Sequence, residues 1–293
     1  MTDDGSQPDR SPEPPLNLWG VGGRFLKSGI RQRFKKPVVG VVWYSFPMTK
    51  IPVHISYSSF STWQECGWKY KLTKVDQIPS GHAVWFTGGT AVHKATELYD
   101  LEGGKSEDIW NKVWFEQVKE DEELNGDMST WKYAKREDMS WWYGEGIWML
   151  DRWIKFREHW GIYEDFIEKQ YEIPLDDTVV KMAIDRVMTD TDGKRVLVDI
   201  KTGASSQRHP LQLAIYAWAL AKEGIIVDKA GFWDARSGNI SLWSLNNLTS
   251  DRIEEILNTF DKARKAEMFL PNLNQCGYCD VSHHCKFVNS RAE

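Results

Sequence analysis

Two aspartates and a lysine stand close together in mid-chain, in Ala183-Ile184-Asp185-Arg186 and, after a turn, in Val198-Asp199-Ile200-Lys201-Thr202-Gly203. Side chains of a strand alternate between faces, so Asp199 and Lys201 share one face, while Val196, Val198 and Ile200 share the other and can be buried. Asp192-Gly193 is a hairpin signal, and a hairpin through it sets Asp185 on the strand beside Asp199. Hard carboxylate oxygens of this kind hold Mg²⁺ or Mn²⁺. Such an ion lowers the pKa of a bound water and offsets charge building on a phosphoryl group. An adjacent ammonium can orient that water or stabilise the oxyanion. Those are the parts that phosphodiester hydrolysis requires. Taken without its surroundings, Asp-x-Lys is a weak motif and reads first as an incidental ion pair on a surface hairpin, worth little energetically.

The elements around these residues set their positions. Gln212 and Tyr216 are four apart on one face of a helix read from Pro210, a residue suited to a first helical turn, to a stop near Gly224. His93 and Glu97 fall on a helix expected to begin after Gly88-Gly89, and another helix runs to about residue 70 from a cap at Ser58 or Ser59. Strands are expected at 38–44, 170–174, 181–189 and 195–202, and a second hairpin joins 230–234 to 240–245 around Ser237-Gly238. Residues 106–162 are helical in pattern. There Trp142, Gly146, Met149, Trp153, Phe156 and Trp160 form one apolar stripe, read as core rather than as a base-stacking surface. A last helix, 250–266, carries Ile253, Ile256, Leu257 and Phe260 on one face. Helices, then a sheet with a crossover helix, then a closing helix make an α/β or α+β chain.

A second set of chemical residues is sulfur. Cys276, Cys279 and Cys285 follow a C-x2-C-x5-C spacing, and Cys66 lies far upstream. Four thiolates suit a [4Fe-4S] cluster that would clip the early helix to the C-terminal end. Cys276, Cys279 and Cys285 with His283 or His284 suit a tetrahedral zinc knuckle instead. Ordinary buried thiols are the third alternative. Four cysteines in 293 residues are not a disulfide framework.

In their order along the chain the motifs resemble those of the PD-(D/E)XK nuclease superfamily, in its RecB-like branch. The matched elements are Gly89-Thr90-Ala91-Val92-His93, Ile184-Asp185-Arg186, Asp199-Ile200-Lys201 and Gln212-Leu213-Ala214-Ile215-Tyr216. The resemblance implies an α/β fold with a restriction-endonuclease-like central mixed sheet flanked by helices, a helical N-terminal part and a C-terminal cluster region. It implies that His93, Asp185 and Asp199, with the backbone carbonyl of Ile200, ligate Mg²⁺ or Mn²⁺. Lys201 would position or activate water, and Gln212 and Tyr216 would orient the site or contact DNA. Ile184 stands where a Pro often precedes the first aspartate, a departure that RecB-like members share. Glu97 and Glu172 are acids that would support the site or lie in solvent. The cysteines resemble those of iron-sulfur nucleases of the AddB and CRISPR-adaptation (Cas-four) type, including stand-alone phage relatives. On that resemblance Cys66-Gly67-Trp68-Lys69-Tyr70, after Ser56-Tyr57-Ser58-Ser59-Phe60, and Cys276-Gly277-Tyr278-Cys279 through Cys285 imply the [4Fe-4S] cluster rather than zinc.

The expected function is therefore metal-dependent DNA exonuclease, single-strand preferring, with or without endonuclease activity, in recombination, repair, replication or CRISPR adaptation. A non-cutting DNA-binding or adaptor subunit would not need Asp185, Asp199 and Lys201 intact, and a zinc-stabilised interaction module leaves them unexplained. Partners would be DNA, as single strands or duplex ends, and a second copy of the chain or recombination and adaptation proteins. The net charge of -5 offers no global field for DNA, so a local patch is needed, read at Lys69, Lys71, Lys74, Arg186 and Lys201. No apolar run is long enough for a membrane span, and no apolar signal core opens the chain; the expected place is the cytoplasm of a bacterium or phage-infected host. Residues 1–37 read as a flexible tail with a basic stretch from Arg24 to Lys36, and 38–293 as the nuclease domain, with a helical insertion at about 106–162 and cluster-binding residues at 270–293.

Overall fold

The computed structural model describes residues 51–163, 166–204 and 208–288. The expected tail, its basic stretch and the strand at 38–44 lie outside the described residues. The helices are α1 (Tyr57–Glu65), α2 (Gly67–Tyr70), α3 (Val84–Glu102), α4 (Ser106–Asn125), α5 (Met139–Arg157), α6 (Pro210–Lys222) and α7 (Ser250–Lys265). The strands are β1 (His54–Ile55), β2 (Gly161–Ile162), β3 (Lys169–Leu175), β4 (Thr178–Ile184), β5 (Arg186–Thr189), β6 (Arg195–Lys201), β7 (Lys229–Asp234) and β8 (Asn239–Trp243). A mixed sheet of order β2-β5-β6-β7-β8 has β6 at its centre, antiparallel to β5 and parallel to β7, with α6 as the crossover. A second sheet, β1-β4-β3, lies beside it.

The alternation read along β6 organises the interior. Val196, Val198 and Ile200 join a core with Trp110, Trp142, Met149 and Trp153 from α4 and α5 and Ala91, Val92 and Ala95 from α3. Leu197 on the opposite face joins a core built from α1, α6, α7 and the second sheet. Helices thus cover both faces, as an α/β sheet requires. The tryptophan stripe is core: Trp142, Met149 and Trp153 are fully buried.

Four local expectations change. Gly88-Gly89 does not open a helix but lies inside α3; a Cβ at Gly88 would come within 2.0 Å of the Trp142 ring, so the glycine admits that ring to the helix surface. Gly146 does the same for Trp110. The cap of α1 is Ser56, not Ser58 or Ser59. Ser56 is extended and accepts from the Ser59 amide at 3.2 Å, while Ser59 Oγ accepts from the Ser56 amide at 2.9 Å, a reciprocal box worth about 1 kcal/mol. The helix to residue 70 breaks at Cys66, whose extended backbone both ends α1 and caps α2. Finally, the strand expected over 181–189 is two strands, β4 in one sheet and β5 in the other, with Asp185 between them.

Candidate active site

That junction turns Asp185 into the site. Having left one sheet before entering the next, its carboxylate reaches β6, where Oδ2 accepts the Ile200 amide at 2.6 Å. Its carbonyl accepts from the Glu168 amide at 2.9 Å and from Arg186 Nη1 at 2.6 Å. Asp199 and Lys201 share a face of β6, as their spacing requires, with Lys201 Nζ 2.7 Å from Asp199 Oδ2. Gln212, on α6, bridges them: its Nε2 donates to Asp199 Oδ1 at 2.8 Å and its Oε1 accepts from Lys201 at 3.0 Å. One turn along, Tyr216 Oη accepts from Gln212 Nε2 at 3.0 Å. Asp199 Oδ2 is fully buried, and the Lys201 ammonium 2.7 Å away is the cation that answers it.

His93 approaches from α3. Its Nδ1 is 3.6 Å from Asp185 Oδ1 and 3.3 Å from Glu168 Oε1. Among the described residues, His93, Glu168 and Asp185 are the group whose ligand atoms converge, within 4.8 Å of one another, as a metal ion would need. Glu168 was not anticipated from the sequence. It belongs to no regular element and adopts a left-handed φ of 46°, so neither strand nor helix periodicity points to it. Behind it, fully buried Arg186 contacts Glu168 Oε1 at 3.3 Å, Asp100 Oδ2 at 2.8 Å and Thr96 Oγ1 at 3.2 Å. Asp100 also takes Arg157 Nε at 2.7 Å and the Trp153 indole at 3.1 Å. Thr96 and Asp100 sit on the helix of His93, so this ion network fixes that helix against Asp185. Removing one partner of such a buried pair costs roughly 3–5 kcal/mol.

The charges compete. Burial works against ionisation of Asp185, yet His93, the Ile200 amide and Arg186 hold its carboxyl below the usual range. Burial and the Asp185 charge push Asp199 up to about 7 against the pull of Lys201. Burial disfavours a charged His93, but Asp185 and Glu168 outweigh it and lift the imidazole to about 10. Burial and Asp199 raise the Tyr216 phenol. Surplus negative charge is thus balanced by protons that a divalent cation would displace.

Other expected residues fall differently. Glu97 is half-buried, and burial and the Glu168 charge raise its pKa. Glu172 points to solvent and pairs with Lys181 at 2.5 Å, outside the site. The expected basic patch does not form as a whole: Arg186 is internal, Lys69 pairs with Glu65 and Asp280, Lys71 with Asp76 and Lys201 with Asp199, which leaves Lys74 exposed.

All four cysteines line one cavity of about 190 Å³. Cys66 Sγ accepts the amides of Lys69 at 3.5 Å and Asn272 at 3.3 Å. Cys276 lies in a short 3-10 helix (Leu273–Tyr278), Cys279 just after it, and Cys285 after another (Ser282–His284). Trp63 Nε1 bonds the Met268 carbonyl at 3.1 Å and Asn272 Nδ2 the Glu65 carbonyl at 2.9 Å, tying the two sequence regions together. His283 and His284 are exposed and are not among the residues that line the cavity.

The family model for the PD-(D/E)XK nuclease superfamily matches residues 54–286; the chain belongs to that superfamily, whose members are nucleases that use divalent metals. It is 28% identical over 264 residues to the Gene 69 protein of Mycobacterium phage D29, covering 80% of this chain and 97% of the relative. It is 25% identical over 284 residues to the Gene 69 protein of Mycobacterium phage L5, covering 81% and 97%. The crystal structure of SSO0001 aligns at 18% identity and a TM-score of 0.31, over 67% of this chain and 84% of that one. Among the described residues no helix is long and apolar enough to cross a membrane.

Proposed function

We propose that the chain is a Mg²⁺- or Mn²⁺-dependent DNA exonuclease of the RecB-like, iron-sulfur branch, acting by preference on single strands in the cytoplasm of a phage-infected bacterium. The observation that carries the reading is the meeting of Asp185 with Asp199-Ile200-Lys201 through the 2.6 Å bond from the Ile200 amide to Asp185. Asp185, Asp199, His93 and the Ile200 carbonyl would hold the ion, with Glu168 beside them. The converging His93, Glu168 and Asp185 atoms fit a hard divalent cation, while Asp199 lies outside that group with its Oδ2 paired to Lys201 at 2.7 Å. When bound, the ion supplies Lewis-acid stabilisation and a more acidic water. Lys201, held by Gln212, would orient that water and face the charge developing on phosphate. Gln212 and Tyr216 keep Asp199 and Lys201 in register.

The cysteine cavity would hold a [4Fe-4S] cluster as a structural clip. Two observations support this over a zinc knuckle. All four cysteines line one cavity, and both candidate histidines lie outside it. The test is cleavage of end-labelled linear and of circular single-stranded DNA by anaerobically purified protein, with and without Mn²⁺. An exonuclease shortens the linear strand only when Mn²⁺ is present and leaves the circle whole. Cutting of the circle contradicts exclusive end dependence, and no Mn²⁺-dependent cutting of either contradicts the nuclease reading.

A further inference from the structure

The segment between α4 and α5 has no part in the site as described, yet it ends against the catalytic strand. Its last residues form a tight turn, Ala134 to Glu137, closed by the Glu137 amide on the Ala134 carbonyl at 3.2 Å. Lys135 and Arg136 occupy the two corners. Both are exposed, and neither makes an ion pair or hydrogen bond among the described residues.

The turn is held from every side. The Lys132 backbone pairs with His82 and Val84 at the start of α3. The Tyr133 hydroxyl bonds the Met128 carbonyl at 2.8 Å, which fixes a ring that is 41% exposed. Asp138 caps α5 through the Trp141 amide at 2.8 Å. Glu137 takes Arg236 in a two-pronged pair at 3.0 and 3.1 Å, and Arg236 stacks over Trp141 at 4.7 Å. Arg236 Nε in turn bonds the carbonyl of Thr202 at 2.7 Å, the residue directly after Lys201. On its other side Thr202 Oγ1 lies 3.0 Å from where a Cβ of Gly89 would stand, on the helix of His93.

Two unpaired cations and an exposed, oriented aromatic ring are therefore carried on a rigid turn coupled to the strand of Asp199 and Lys201. In a chain of net charge -5, with Lys69, Lys71, Arg186 and Lys201 of the other candidate basic patch held in ion pairs, this turn offers a place where phosphate can be met. We propose that the 133–136 turn is a guide for single-stranded DNA, Lys135 and Arg136 contacting its phosphates and Tyr133 stacking on an unpaired base. The inference deepens the nuclease reading above, since the strand it guides is that enzyme's substrate. Single strands are specified by the ring: unpaired bases stack on aromatics regardless of sequence, and duplex bases do not.

The test is fluorescence anisotropy of a labelled single-stranded oligodeoxythymidine with the full chain in EDTA, so that cleavage is off, across a salt series. Lys135→Ala/Arg136→Ala should weaken binding on the order of tenfold and make the log K against log salt slope shallower by about 1.4, the loss of two single-strand phosphate contacts. Tyr133→Ala should weaken binding with the slope unchanged. Arg252→Ala/Lys262→Ala, on α7 across the sheet, should change neither. An unchanged slope in the Lys135 and Arg136 variant, or an equal loss in the α7 control, overturns the proposal. An equal loss on a duplex probe overturns the single-strand assignment. Mn²⁺-dependent cleavage by the same preparations separates the two claims. Cleavage with an unchanged slope defeats the guide alone, whereas a changed slope without cleavage defeats the nuclease reading alone.

Discussion

The carboxylate site and the cysteine cavity, the two places proposed to hold inorganic groups, are prepared differently. Around Asp185 and Asp199 most side chains have a fixed partner: the Ile200 amide on Asp185, Gln212 across Asp199 and Lys201, Arg186 behind Glu168. Those partners come from β6, α6 and β5, elements packed into the hydrophobic cores. The cysteines instead sit on short turns, and among the described residues the Cys66 sulfur accepts two long amide contacts. The first site is set by these fixed partners; on the proposed reading the second would gain much of its hold on the turns from its guest, beyond the bonds from Trp63 and Asn272. A hard ion at the first should therefore govern chemistry and leave stability nearly alone, and a soft group at the second should govern stability.

The sharpest way to break this contrast is Lys201→Ala. It should lower Mn²⁺-dependent DNA cleavage on the order of a thousandfold, with the visible spectrum unchanged and the melting temperature lower only by the loss of its pair with Asp199; loss of the visible spectrum would show that the two regions are not separable. Cys66→Ala should do the reverse, bleaching the broad absorbance near about 400 nm expected of thiolate-bound iron-sulfur and lowering Tm by roughly 10 °C. A zinc site made from the last three cysteines and a histidine would survive that change. Gln212→Ala removes a positioning group rather than a ligand, so cleavage should fall roughly 10–100-fold, as read from initial rates at saturating Mn²⁺.

Proton competition gives a smaller and graded effect. Ligands must shed protons to take the ion, and Asp199 is held near 7 and His93 near 10 in the metal-free protein. Apparent Mn²⁺ affinity should therefore climb as pH rises through 7 and keep climbing towards 10. Calorimetric titration in buffers of different ionisation enthalpy should detect proton release; pH-independent affinity with no release would contradict the balance of charge described above. Least of all should activity respond to Gly146→Ala. A Cβ there would sit 2.0 Å from the Trp110 ring, so stability should drop about 1–3 kcal/mol by denaturant titration, with the rate per folded molecule retained.

Which parts were legible follows from which obey a period. Asp199 and Lys201 are two apart on a strand, and Gln212 and Tyr216 four apart on a helix, so each pair had to share a face. The hairpin through Gly193 brought Asp185 within reach, although the break at 185 between β4 and β5 was hidden because β-branched and apolar residues continue across it. His93 came from motif order alone. Glu168 escaped, since a left-handed residue in an irregular segment leaves no periodic trace. Gly88-Gly89 misled for the opposite reason: a local breaker signal was overridden by tertiary packing, the Trp142 ring needing the room that the first glycine leaves. Glu172 matched by type, but its side of β3 faces solvent.

The account rests on two aspartates sharing one divalent ion, and Mn²⁺ binding followed by electron paramagnetic resonance tests this without relying on turnover. Wild-type protein should quench the signal of free Mn²⁺ as the ion binds, and Asp185→Asn/Asp199→Asn, with its circular dichroism intact, should leave that signal at full strength. Equal Mn²⁺ uptake by the folded double variant would contradict the claim.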